Sequence, residues 1–91
     1  MNVFILFQNT YMRKGSEKSM TMYWADVFSS LKSAKAAMVK DFNKTVDNGA
    51  VGEISPDEMS GEISPDEMSA VSNQGDMLTF DWRIERRRVQ N

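Results

Sequence analysis

Apolar and polar positions divide the chain into recognisable stretches. Val3-Phe4-Ile5-Leu6-Phe7 is an unbroken β-branched and aromatic run, the pattern of a strand covered on both faces. It predicts a strand over 2–8, placed centrally in a sheet. Gln8 to Ser19 is polar, with Gly15 inside Arg13-Lys14-Gly15-Ser16-Glu17-Lys18, and reads as a hairpin loop. A second strand is expected over 20–28. There Met20, Met22, Trp24, Asp26 and Phe28 share one parity and Thr21, Tyr23, Ala25 and Val27 the other, so neither face is cleanly polar. Leu31, Ala34, Met38, Phe42 and Val46 then recur at spacings of 3, 4, 4 and 4. That is one apolar stripe of a helix over 30–46, capped by Ser29 or Ser30 and stopped at Asn48-Gly49. Lys32, Lys35, Lys40, Asp41 and Lys44 fall off the stripe. Near the end, Leu78, Phe80, Trp82 and Ile84 alternate with Thr79, Asp81, Arg83 and Glu85. This period of two predicts a strand over 77–86 with one buried face.

Between helix and last strand lies a duplication. Gly52-Glu53-Ile54-Ser55-Pro56-Asp57-Glu58-Met59-Ser60 recurs without change as Gly61 to Ser69. Nine identical residues with no drift mark a recent tandem duplication or an engineered insertion rather than an old structural repeat. Each copy carries Ser-Pro-Asp-Glu, which has the form of a helix start. Ser55 or Ser64 would cap, Pro56 or Pro65 would take the first helical position, and Glu58 or Glu67 would close a capping box. The expected structure of 52–72 is therefore one turn followed by a short acidic helix, with a turn at Asn73-Gln74-Gly75-Asp76.

Together these elements predict a single small α+β domain over 1–91. Its sheet would have three strands in the order 2-1-3, with the main helix on one face and the short acidic helical insert before the last strand. A right-handed crossover would return the last strand parallel to the second. One helix covers one side of such a sheet, yet the first two strands carry large apolar residues on both parities. Either the insert folds over the second face or another subunit does, which favours a homodimer through the open face or an edge.

Composition narrows the chemistry. The 91 residues include neither cysteine nor histidine. That removes disulfide scaffolds, Cys/His zinc sites, thiol nucleophiles and His-based acid/base pairs. No stretch approaches the ~20 apolar residues of a membrane helix. The run Val3–Phe7 is too short for a signal-peptide core, and a cytoplasmic location is expected.

The net charge is −2, but it is segregated: nine acids and no Lys or Arg lie between Thr45 and Trp82. Asp57, Glu58, Asp66 and Glu67 are candidates for an acidic surface that mimics nucleic-acid phosphate and occupies a basic groove on a partner. Their plainer reading is a solvated loop whose acids favour helix starts. Their spacing does not match a calcium loop, and an exposed loop is a poor place for paired catalytic carboxylates. No metal, cofactor or enzymatic role is therefore expected. Ser55-Pro56 and Ser64-Pro65 have the form of proline-directed phosphorylation sites, which capping explains without a kinase. Arg83, Arg86 and Arg87 are alternative anion-binding candidates. With Arg88, Lys14 and Lys18, and with Trp24 or Tyr23 for stacking, they would suit a nucleic acid or a small anionic nucleotide. Met22 and Trp24 are candidates for a partner-binding apolar surface.

The segments Val3-Phe4-Ile5-Leu6-Phe7, Asp26-Val27-Phe28-Ser29-Ser30-Leu31-Lys32-Ser33-Ala34-Lys35 and Trp82-Arg83-Ile84-Glu85 resemble a pattern in small phage and bacterial domains of unknown function. There, a strand-to-helix junction and a final aromatic-x-Ile/Val-x strand recur. The resemblance spans about half the chain and carries over no catalytic or binding residue. It implies a phage accessory protein acting in the bacterial host cytoplasm. Such proteins include inhibitors of host defence, among them anti-CRISPR proteins, and sponges for signalling nucleotides. The expectation is a non-enzymatic binding protein that blocks a host protein or ribonucleoprotein complex. The alternatives are an oligomeric sponge for an anionic nucleotide and a small nucleic-acid-binding protein.

Overall fold

A computed structural model describes residues 1–14, 17–48, 59–74 and 78–89. The elements run β1 (Asn2–Lys14), β2 (Glu17–Phe28), α1 (Leu31–Asn48), β3 (Met59–Ile63), β4 (Ser69–Gln74) and β5 (Leu78–Arg88). All five strands form one sheet in the order β2-β1-β5-β4-β3, and every neighbouring pair is antiparallel. A three-stranded sheet with a helical insert is thus incorrect. The second repeat copy supplies most of a β-hairpin, which widens the sheet from three strands to five. The first copy as far as Glu58, with Asp57, lies outside the described residues.

The reason for that correction sits in the turn. Ser64-Pro65-Asp66-Glu67 satisfies a β-turn as well as a helix start, because proline suits the second position of both. The Glu67 N–H donates to the Ser64 carbonyl at 2.9 Å, and the Ser64 N–H to the Ser69 carbonyl at 2.9 Å. The Ser64 hydroxyl donates to Asp66 Oδ1 at 2.8 Å and accepts the Ser69 N–H at 3.0 Å. Asp66 Oδ1 also accepts the Met68 N–H at 3.0 Å. Glu67 takes φ = 56°, a left-handed conformation no helix would use. Once turned, the chain pairs Gly61 with Ser72 and Ile63 with Ala70, and β4 pairs with β5. Asn73 and Gln74 extend that ladder rather than beginning a turn.

The core lies between α1 and one face of the sheet. Ser30 caps the helix, its hydroxyl accepting the Ser33 N–H at 3.1 Å. Ala34, Met38 and Phe42 are buried, with Leu31 and Val46 packed alongside. Facing them are Phe4 and Leu6 of β1, Leu78, Phe80, Trp82 and Ile84 of β5, and Ala70 of β4. Phe42 meets Trp82 edge-on at 5.6 Å. The Trp82 indole N–H donates to Asp41 Oδ2 at 2.8 Å, so Asp41 ties helix to sheet although its position lies off the apolar stripe. Gln8 and Thr10 are buried on the same face and satisfy each other at 3.0 Å. This lets β1 run on to Lys14, well past the polar break at Gln8.

The opposite face has no helix. Val3, Ile5 and Phe7 are half-buried there, not enclosed on both sides. Arg87, Glu85 and Arg83 of β5 stand beside them in register. The Arg83 guanidinium lies 5.2 Å from the centre of the Phe7 ring. Glu85 bridges both arginines, at 3.2 Å to Arg83 and 2.7 Å to Arg87. A charged ladder therefore shields the middle of the open face without an insert or a second subunit.

Candidate binding surface

The exposed apolar surface collects on β2. Among the described large apolar residues most open to water are Met20 (52%), Met22 (57%), Tyr23 (70%) and Val27 (61%). All four lie on this edge strand, and Met12 beside them on β1 is also exposed. β2 is 12 residues long, and Ser19 to Ala25 contains no charge. Natural sheets guard their edges with charges, proline or short strands. Here the opposite edge, β3, is five residues long and carries Glu62. Between Ser19 and Ala25 the long edge lacks such protection.

The register shifts between Thr10 and Tyr11, which pair with Met22 and Met20, so Thr21 is left over as a bulge. Beyond it side-chain parity flips. Met20, Tyr23, Ala25 and Val27 therefore face the ladder side of the sheet. Met22 and Trp24 face the helix side, where Trp24 is half-buried against the core. Met12 and Met22, on the helix side, are exposed all the same. The molecule measures 47 × 24 × 20 Å with a radius of gyration of 14.3 Å, against about 12 Å for a compact chain of this length. The Val27 N–H donates to Asp26 Oδ1 at 2.9 Å, so this amide points away from β1. By alternation, the backbone groups of Tyr23 and Ala25 point outward as well.

The expected site residues do not form one surface. Asp66 and Glu67 are exposed on the β3–β4 turn, at the edge opposite Met22 and Trp24. Three strands intervene, a separation of about 19 Å at the usual strand spacing. The Asp66 carboxyl is held below its ordinary pKa, first by the Met68 N–H, then by the Ser64 hydroxyl, with a smaller contribution from Lys35. Arg83 and Arg87 share the ladder face through Glu85. Arg86 lies on the other face, 5.6 Å from the Phe4 ring, so the three arginines do not converge on one anion.

Sequence reasoning also passed over a shallow groove of about 720 Å³ beside the first half of α1. Leu31 and Val39 line it, with Lys32, Lys35, Lys40 and Glu67 around them. Val27 went unselected too, and Tyr23 was considered only for stacking, although the absence of a polar face on the second strand was their signal. Among the described residues no group of three or more acidic side chains is placed to hold a metal ion. No described helix is long and apolar enough to cross a membrane. Comparison with known proteins finds no matching family model, no matching curated protein and no matching solved structure.

Proposed function

We propose that this is a non-enzymatic binding protein that works by protein–protein contact, taking up another polypeptide strand along β2. The observation that carries the reading is the long edge, uncharged from Ser19 to Ala25, with Met20, Met22, Tyr23 and Val27 open to water. Strand addition uses the outward backbone groups for affinity and alternate side chains for selectivity. The setting we propose, from the segment resemblance alone, is a phage accessory protein in the bacterial cytoplasm that inhibits a host defence factor. An anion-sequestering role is less well supported, since Glu85 already holds Arg83 and Arg87.

The test is capture of a partner polypeptide, either a host protein or an untagged copy of the chain, by tagged protein in bacterial lysate. Tyr23→Lys/Val27→Lys, at positions exposed enough to leave folding intact, should lose the partner. Asp66→Lys/Glu67→Lys should keep it. The reverse pattern would move the site to the acidic corner and overturn the reading.

A further inference from the structure

We infer that the strand taken up by β2 is the β2 of a second copy of this chain, paired antiparallel about a two-fold axis at Ala25. The inference rests on the edge-binding reading and names its occupant. Length and closure favour a copy. The other exposed edge, β3, has five residues against the 12 of β2. Head-to-tail pairing of β2 with β3 would leave most of the long edge bare and would propagate into filaments. β2 against β2 about Ala25 pairs residues 22–28 of the two strands and closes after two subunits.

Charge and side-chain pairing favour this register. With Ala25 on the axis, Tyr23 stands opposite the partner's Val27, a favourable aromatic–β-branched pair. Met22 stands opposite the partner's Phe28, and Asp26 meets the partner's Trp24 rather than a second carboxylate. Centring the pair one residue later would put Asp26 against the partner's Asp26. The small side chain at position 25 suits the axis, where two identical groups meet. The outward N–H and C=O groups of Tyr23, Ala25 and Val27 are those that would bond across it. The Val27 N–H would exchange its local bond to Asp26 for the partner's Tyr23 carbonyl. Within the span 22–28, Met22, Tyr23 and Val27 are the exposed apolar residues, and they leave on the order of 400 Å² in water, within the range of the largest patches on ordinary monomers. A standard interface buries about 800 Å² per partner, so this pairing makes a small one.

The chain has no cysteine, so a single introduced thiol reports unambiguously. In a hydrogen-bonded antiparallel pair the two Cα atoms at the axis lie about 5.5 Å apart, within disulfide range. Purified wild-type protein should sediment at twice 10.4 kDa. Mild oxidation should convert Ala25→Cys, but not the control Val71→Cys on β4, to a covalent dimer. Tyr23→Lys/Val27→Lys should be monomeric. Asp26→Ala, which frees the Val27 N–H, should tighten the dimer by about two- to tenfold. A wild-type monomer up to about 100 µM would overturn the inference. So would a dimer that Ala25→Cys does not cross-link and the lysine pair does not dissociate. A monomer whose capture of a host protein still depends on Tyr23 and Val27 would sink the second-copy inference alone and leave the edge-binding reading standing.

Discussion

Gly61→Ala separates the hairpin from every other conformation of the repeat. Gly61 opens the second copy and lies in β3 beneath the helix. A Cβ built on it would meet Phe42 Cζ at 2.7 Å, Phe42 Cε2 at 3.0 Å and Val46 Cγ2 at 3.4 Å. Contacts that short require movement. The Phe42 ring must shift, and with it the edge contact that it makes with Trp82 at 5.6 Å. Overpacking of this kind costs about 1–3 kcal/mol. At about 4–8 °C per kcal/mol for a domain this small, Tm should fall by roughly 5–20 °C. Thermal unfolding followed by circular dichroism measures it. In a loop or a helix the same substitution would stabilise, by about 0.4–1 kcal/mol, because alanine restricts the unfolded chain. Gly52→Ala, in an identical nine-residue context, is the matched control. It should not reproduce the loss, since Gly61 is the glycine that lies against Phe42. An unchanged or raised Tm for Gly61→Ala would refute the packing described above.

Three further outcomes are expected. Asp41→Ala strips the buried Trp82 indole of its acceptor and should cost about 1–3 kcal/mol in denaturant unfolding; in a Trp82→Phe background the cost should shrink, and additive losses would mean that the bond is idle. Deleting either repeat copy yields the same shortened chain, which should fold with stability within about 1 kcal/mol, because the Val46 methyl already lies 3.4 Å from where a Gly61 Cβ would stand; loss of a cooperative transition would show that the length of the connection matters. Asp66 has a lowered pKa in the folded protein, so its contribution is complete above the unfolded carboxylate pKa near 4 and is lost as pH falls through the lower folded value; Asp66→Asn should flatten the stability profile below pH 4, and an unaltered profile would contradict the turn geometry.

Where one physical period dominates, the fold was legible. Leu78, Phe80, Trp82 and Ile84 alternate because β5 has the helix on one face and the arginine ladder on the other. The stripe from Leu31 to Val46 is plain because α1 lies on the sheet along one side. The repeat was not legible, because Ser-Pro-Asp-Glu starts a helix and makes a tight turn equally well. The turn's own hydrogen bonds favour the hairpin, and pairing of β4 with β5 and the close approach of Gly61 to Phe42, neither of them local, decide it. The extent of β1 was hidden for a similar reason: Gln8 and Thr10 look like loop residues but bury each other's polar groups. Asp41 looked solvent-facing, and only the position of Trp82 gives it a partner. At the candidate site, Met22 could be found from its parity. The lack of a polar face marked Tyr23 and Val27 too, but their exposure follows from β2 being an edge strand whose ladder side has no helix.

Everything proposed for β2 depends on the second repeat copy occupying the far side of the sheet and leaving β2 as the long bare edge. Nuclear Overhauser contacts test this most directly. A hairpin gives cross-strand backbone contacts between Glu62 and Val71 and between Ser72 and Phe80, as their registers require. Contacts between residues three apart along 64–72, without those cross-strand contacts, would show a helix there instead and contradict the five-stranded sheet.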